Sequence, residues 1–251
     1  MPFSLLRPFH CFVYWVGLLW FASGFIILNG AALLLGWLPG IKWPKVWSFI
    51  IQQWLRLTFN GFKLVGCMDV TWHGKLTESD IANTILICNH PTRLDALWLL
   101  AKFSNVRCVY KASLKNSIFS DYAARATGFI PNSTGRNAVR RASKELSEGI
   151  SLAIFPEGTR TEQMPLNPLN AGYVLIAKDA EADIQTIIVQ CNSAIMTKRV
   201  PLLKPPKMPI YYNIYIGKRF KVSIGDSSRN VNAEIQQYMY EQISNYPTIL
   251  E

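Results

Sequence analysis

Between Cys11 and Leu38 the chain carries no charged residue. The run holds Trp15, Trp20, Phe25 and Ile26, and it is long enough to cross the ~30 Å hydrocarbon core of a bilayer. It exceeds the apolar region of a secretory signal, and no A-x-A-like cleavage site follows it. Gly24, Asn29 and Gly30 interrupt the run. Two readings therefore stand, a full span or a kinked helix entering one leaflet.

Trp43 to Leu64 spaces Trp47, Ile50, Ile51, Trp54, Leu55, Leu57 and Phe59 at helical intervals, with Lys45, Arg56 and Lys63 among them. The pattern predicts an interfacial amphipathic helix, tryptophans at headgroup depth and lysines reaching phosphates. The competing reading is a core helix of the globular body. Basic residues after the apolar run outnumber the lone Arg7 before it, so a spanning run would leave that body in the cytoplasm. The segments are 1–41, an N-terminal membrane segment, 42–66, the amphipathic helix, and 67–251, the globular domain.

Lys and Arg outnumber Asp and Glu by 26 to 16, and half of all residues are hydrophobic. That excess suits anionic partners such as membrane phospholipid or phosphorylated carriers. Nucleic acid is disfavoured, because the charge is dispersed and the aromatics gather near the N-terminus. Cys11, Cys67, Cys88, Cys108 and Cys191 form no CxxC pair, which suggests neither a disulfide framework nor a metal site.

From Cys67 onward, short apolar runs alternate with helical stretches. Candidate strands are Val70–Trp72, Thr84–Cys88, Arg107–Tyr110, Gly128–Ile130, Ser151–Phe155, Thr186–Gln190, Tyr211–Ile216 and Phe220–Val222. Candidate helices are Leu94–Phe103, Leu114–Ala126, Asn137–Gly149, Asn170–Lys178 and Val231–Asn245. The alternation predicts an α/β domain, a mostly parallel sheet flanked by helices.

Two strand ends carry the chemistry. The first strand, Thr84–Cys88, runs into Asn89-His90-Pro91-Thr92-Arg93-Leu94-Asp95. On a continuous helix, His90 and Asp95 would lie about 140° apart. Pro91 disfavours helical geometry at His90 and suits a helix's first positions, so His90 sits in the turn and can fold back onto Asp95. A carboxylate accepting from one ring nitrogen leaves the other free to take a proton, which makes His90 a candidate general base. The second strand, Ser151–Phe155, ends in Pro156-Glu157-Gly158-Thr159-Arg160. Gly158 permits a tight turn, and Arg160 offers a planar fork suited to phosphate.

Together these motifs resemble the glycerolipid acyltransferase family. Asn89, His90 and Asp95 match its N-H-x4-D signature, and Phe155 to Arg160 match F-P-E-G-T-R without a break. The likeness covers roughly residues 43 to 225. It implies a membrane-bound O-acyltransferase that moves a fatty acyl group from acyl-CoA or acyl carrier protein to a lysophospholipid-type hydroxyl. His90 would act as base and Asp95 would orient it, with no metal and no cofactor beyond the acyl co-substrate. It further implies that Lys111, Arg136, Glu157, Gly158, Thr159 and Arg160 hold substrate. The second block keeps Lys111, Leu114, Gly128 and Ile130. It has Ile118 for the family's proline, Asp121 for its glycine and Thr134 for its arginine, with Arg136 two residues on. The fourth block, Ile184–Val189, lacks both of its usual prolines. The Gly-Phe-Ile-Pro-Asn-Ser variant is similar to members serving bacterial specialised lipids such as aryl polyene lipids, which keeps a non-phosphatidate acceptor in view. The expected place is a bacterial inner membrane, active site toward the cytoplasm. A lipase lacks its G-x-S-x-G elbow here. A non-catalytic lipid-binding protein leaves both strand-end motifs unexplained.

Overall fold

The computed structural model describes residues 3–35, 43–112, 121–132, 136–193, 197 and 200–245. It opens with two long helices, α1 (Phe3–Leu35) and α2 (Trp43–Leu64), lying antiparallel. Gly24 does not break α1. It faces Trp54, whose ring lies 2.5 Å from where a Cβ would be, and Gly17 faces Phe62 in the same way. Asn29 turns its amide back to the Phe25 carbonyl at 2.8 Å, within the helix. Between the two notches, Trp20 Nε1 donates to Thr58 Oγ1 at 2.8 Å. By length and composition α1 is apolar enough to cross a membrane, and its outer side exposes Phe12, Leu19, Ile27 and Leu34.

Helix α2 divides its surface. It buries Trp47, Gln52, Leu55, Thr58 and Phe59 and exposes Val46, Phe49, Ile50 and Leu57. The buried side is that of a core helix, and the exposed apolar side is the one an interfacial helix would turn to lipid.

Behind them stands a seven-stranded sheet: β1 (Met68–His73), β2 (Thr84–Cys88), β3 (Val106–Tyr110), β4 (Ile130–Pro131), β5 (Ser151–Ile154), β6 (Asp183–Cys191) and β7 (Ile210–Phe220). Its order is β1-β7-β6-β2-β5-β3-β4, and every pairing is parallel except β6 with β7. Helices α3 (Asp95–Lys102), α4 (Asp121–Ala126), α5 (Arg136–Ser147), α6 (Gly172–Ala180) and α7 (Ser228–Asn245) complete the domain. The mostly parallel α/β sheet is as expected. The predicted helix over 114–126 is met by α4 at its end, and residues 113–120 lie outside the described residues. Tyr211–Ile216 and Phe220–Val222, read as two strands, are largely one. Gly217 sits in the middle of β7 because Thr186 Oγ1 would lie 2.4 Å from an added Cβ, and a bulge in β6 between Gln185 and Ile187 keeps the pairing going.

All five residues of β2 are buried, as a central parallel strand requires. Its side chains alternate between two layers. Leu86 and Cys88 join the core under α2 and α3, with Leu55, Phe59 and Trp98. Ile85 and Ile87 face the opposite core, with Leu146, Val174 and Ile235. Each such aliphatic side chain contributes about 1.5–3 kcal/mol by leaving water. That burial sets the register, and Ile87 stands opposite Ile154 of β5. His90 and Glu157 each follow a paired residue by three positions, so the strands deliver both motifs side by side at the sheet's C-terminal edge. Ligands of open α/β sheets bind at that edge.

Candidate active site

Past Cys88 the chain turns, and α3 starts at Asp95, whose side chain is wholly buried. Asp95 Oδ2 receives His90 Nδ1 at 2.8 Å and the Thr92 backbone N–H at 2.8 Å. Its Oδ1 receives the Thr92 hydroxyl at 2.6 Å. A buried carboxylate surrounded by donors only accepts, so Nδ1 carries the imidazole proton and Nε2 is the basic nitrogen. The imidazole, 21% exposed, lies against Phe155 at 4.4 Å between ring centroids. The paired histidine and aspartate thus form the predicted orienting contact.

The second turn is stitched to the first through main chain. Glu157 Oε1 accepts the His90 backbone N–H at 2.8 Å and the Thr161 hydroxyl at 2.9 Å. Its Oε2 accepts the Asn167 N–H at 3.0 Å. In return Thr161 N–H donates to the His90 carbonyl at 2.8 Å. Burial raises the Glu157 pKa, while its donors from Asn167, His90 and Thr161 pull it down. Both carboxylate oxygens are occupied by the protein, so Glu157 joins the turns. Gly158 adopts φ +68°, the left-handed region that favours glycine, and its N–H closes on the Phe155 carbonyl at 3.0 Å. On the other flank, Asn89 exchanges hydrogen bonds of 2.9 and 2.7 Å with the Val189 backbone, holding β2 to β6.

Arg160 and Thr159 are half-buried beside this junction. The Arg160 pKa is lowered, first by burial and then by the positive charge of Arg93, while Glu162 and Asp95 oppose the shift. Arg93 is exposed on the turn between His90 and Asp95. The two guanidinium groups therefore share one rim. Lys111 and Arg136 stand elsewhere on the same edge, Lys111 just past β3 and Arg136 opening α5 after β4. Both are exposed, and among the described residues no hydrogen bond or ion pair links either to His90, Asp95 or Glu157. Strand β3 is two places from β2, about 10 Å away. Leu114, Ile118 and Thr134 lie outside the described residues.

Several members of the site were not foreseen. Thr92 and Arg93 occupy the unspecified positions of N-H-x4-D, and Tyr212 reaches in from β7 with its hydroxyl 2.9 Å from Thr92 Oγ1. Thr161 and Asn167 follow the second motif. The signal available for Thr92 and Arg93 was their place inside the first turn; nothing near Tyr212 in sequence marks it. Cys88, directly under the turn, is no rival nucleophile. Burial and the charges of Asp95 and Glu157 push its thiol well above the ordinary value.

A family model described as Acyltransferase matches residues 69–190, the stretch from β1 to β6 that holds both turns. With its two turn motifs, the chain is similar to the glycerolipid acyltransferases. A similar protein is the 1-acyl-sn-glycerol-3-phosphate acyltransferase of Cocos nucifera, 26% identical over 144 residues. The match takes in 53% of this chain and 46% of the relative, so the chain spans about half the length of the curated relative it matches. The acyltransferase fold extends further than the sequence match. The crystal structure of the 1-acyl-sn-glycerophosphate (LPA) acyltransferase PlsC from Thermotoga maritima superposes with a TM-score of 0.69 at 16% identity, over 97% of each chain. The two-helix N-terminus is thus part of a shared architecture.

Proposed function

We infer that this chain is a membrane-bound O-acyltransferase, with His90 as general base and a lysophospholipid-type hydroxyl as acceptor. One observation carries the reading: His90 Nδ1 lies 2.8 Å from a wholly buried Asp95 while the imidazole stays partly exposed at the sheet edge. Nε2 takes the acceptor's hydroxyl proton as its oxygen attacks the thioester carbonyl. The tetrahedral intermediate collapses, the C–S bond breaks, and the imidazolium returns its proton to the departing thiolate. Ester and free thiol, on CoA or carrier protein, are the products. Asp95 stabilises the imidazolium and holds the tautomer throughout. Arg160 and Arg93, both on the rim, suit an anionic acceptor through charge-assisted hydrogen bonds. The exposed apolar sides of α1 and α2 seat the protein in a bilayer, which is where such acceptors reside.

The test is acyl transfer by the purified full chain from acyl-CoA and from acyl carrier protein to 1-acylglycerol-3-phosphate, alongside His90→Ala. Loss of a general base costs about 100- to 10,000-fold. A folded His90→Ala protein at wild-type rate would remove the mechanism. Thioester hydrolysis without ester formation would remove the acceptor.

A further inference from the structure

Away from that site, a cleft of about 340 Å³ opens between α2, β1 and the C-terminal end of α3. Neither His90, Glu157 nor Arg160 lines it. Its charged residues are Arg56, Lys63, Lys102 and Asp69, three cations against one carboxylate. Lys63 contacts Asp69 at 2.9 Å, and Lys102 Nζ lies 4.6 Å above the Trp72 ring. Arg56 donates Nε to the Ala101 carbonyl at 2.8 Å and an Nη2 proton to that of Lys102 at 3.2 Å. Those bonds hold the guanidinium at the mouth with its Nη1 donors uncommitted to them. Trp98 forms part of the wall. It is 4% exposed, and its buried indole N–H finds no hydrogen-bond partner among the described residues.

The three cations and the position of the cleft indicate what it binds. At 100° per residue, Arg56, Asn60 and Lys63 fall within about 60° on the α2 circumference. The exposed apolar residues Val46, Ile50 and Leu57 follow about 40–80° further round. A lipid whose tails lie along that apolar strip has its phosphate level with the cations. We propose that this cleft binds the phosphate of an anionic phospholipid headgroup, separately from the acceptor in the catalytic site. The proposal rests on the membrane seating inferred above but not on the catalytic reading.

The test uses the full chain in neutral detergent with ¹⁵N-labelled tryptophan, the Trp98 indole signal being assigned through Trp98→Phe. Short-chain phosphatidylglycerol should shift that signal saturably, and short-chain phosphatidylcholine should do so far more weakly. Lys63→Gln/Lys102→Gln should weaken the phosphatidylglycerol response by about ten- to a hundred-fold, as expected for losing a charged hydrogen bond. Lys204→Gln/Lys207→Gln removes equal charge elsewhere and should leave it nearly intact. Equal shifts with both lipids, or equal losses in both double variants, would overturn the proposal. A saturable shift with CoA and none with phosphatidylglycerol would overturn it too, assigning the cleft to the acyl donor. Acyl transfer need not occur for any of these outcomes to be read.

Discussion

The hydroxyl of Tyr212 lies 2.9 Å from that of Thr92, joining β7 to the turn between His90 and Asp95 across 120 residues of sequence. Thr92 already donates to Asp95 Oδ1, so Tyr212 is the donor of the pair. The protons thus run in one direction, from phenol to threonine to aspartate, and His90 donates to the same carboxylate from the other side. Thr92→Val removes a donor to a buried charge and should cost about 1.5–3 kcal/mol of stability. A fall in kcat larger than any change in KM should accompany it. Tyr212→Phe should cost about 1 kcal/mol and a few-fold in kcat. Thermal melts and steady-state kinetics check both, and a Thr92→Val enzyme with unchanged kcat would make the chain of hydroxyls purely structural.

Asp95→Asn keeps the size of the side chain but offers one acceptor oxygen where three donors converge. The amide group can also donate to Nδ1, which would move the proton to Nε2 and leave no base facing the substrate. Activity should fall at least as far as about a hundred-fold while the protein remains folded. Near-UV circular dichroism and acyl transfer, measured together, separate this outcome from unfolding.

Glu157→Gln tests whether the second signature acts by joining the turns. One carboxylate oxygen becomes an NH₂ group facing either the Asn167 N–H or the His90 N–H, leaving a buried donor unpaired. The expected cost is about 1–3 kcal/mol in stability, with kcat falling because His90 is displaced. If Glu157 instead held substrate directly, KM would rise and the melting temperature would hold.

If the rim beside His90 holds the acceptor, its arginines should differ in weight. Arg160→Ala should raise KM for lysophosphatidate by roughly ten- to a hundred-fold, the value of a charged hydrogen bond to phosphate. Arg93→Gln should raise it in the same direction, and Arg136→Ala, on α5, should change it least. An Arg136→Ala enzyme that loses its preference for a phosphomonoester acceptor would reverse that order.

Membrane attachment should separate into two components. The full chain should stay with sedimented membranes at high salt, because α1 exposes Phe12, Leu19, Ile27 and Leu34. Without residues 1–41, attachment should persist through α2 at low salt and decline as salt rises, since its basic contribution is screened. Complete release at low salt would confine α2 to the core.

Much of this was legible beforehand because local rules sufficed. The five buried residues of Thr84–Cys88, Pro91 after His90 and Gly158 after Glu157 each state a backbone preference within a few positions. Tyr212 was not legible, since its hydroxyl reaches the site only through the antiparallel return of β7, a long-range pairing. Glu157 was visible as a site residue, but its task was not. A carboxylate on a turn looks the same whether it meets a ligand or the N–H of His90, and only the β2–β5 register distinguishes the two. Arg107 shows the reverse case. It reads as an ordinary charged residue, yet it is 1% exposed in β3 and donates to Ser48 of α2 at 2.8 Å.

The paired notches of α1 have a mechanical consequence. Gly17 and Gly24 receive Phe62 and Trp54, so sliding α1 along α2 by a single residue would rotate both glycines by about 100° and drive Cβ atoms into the rings. The hairpin therefore has one axial setting, and Tyr14, bonded to the Leu202 carbonyl, ties that setting to the body that carries His90. Were the protein seated in a bilayer, α1 would be a depth gauge: lipid would hold the helix at one level, and the imidazole would ride at a constant height above the acyl chains. A hydroxyl carried close beneath a lipid's polar head would come to that height, and one placed deeper or further out would miss it. Acceptors would then be sorted by elevation before any side chain touches them.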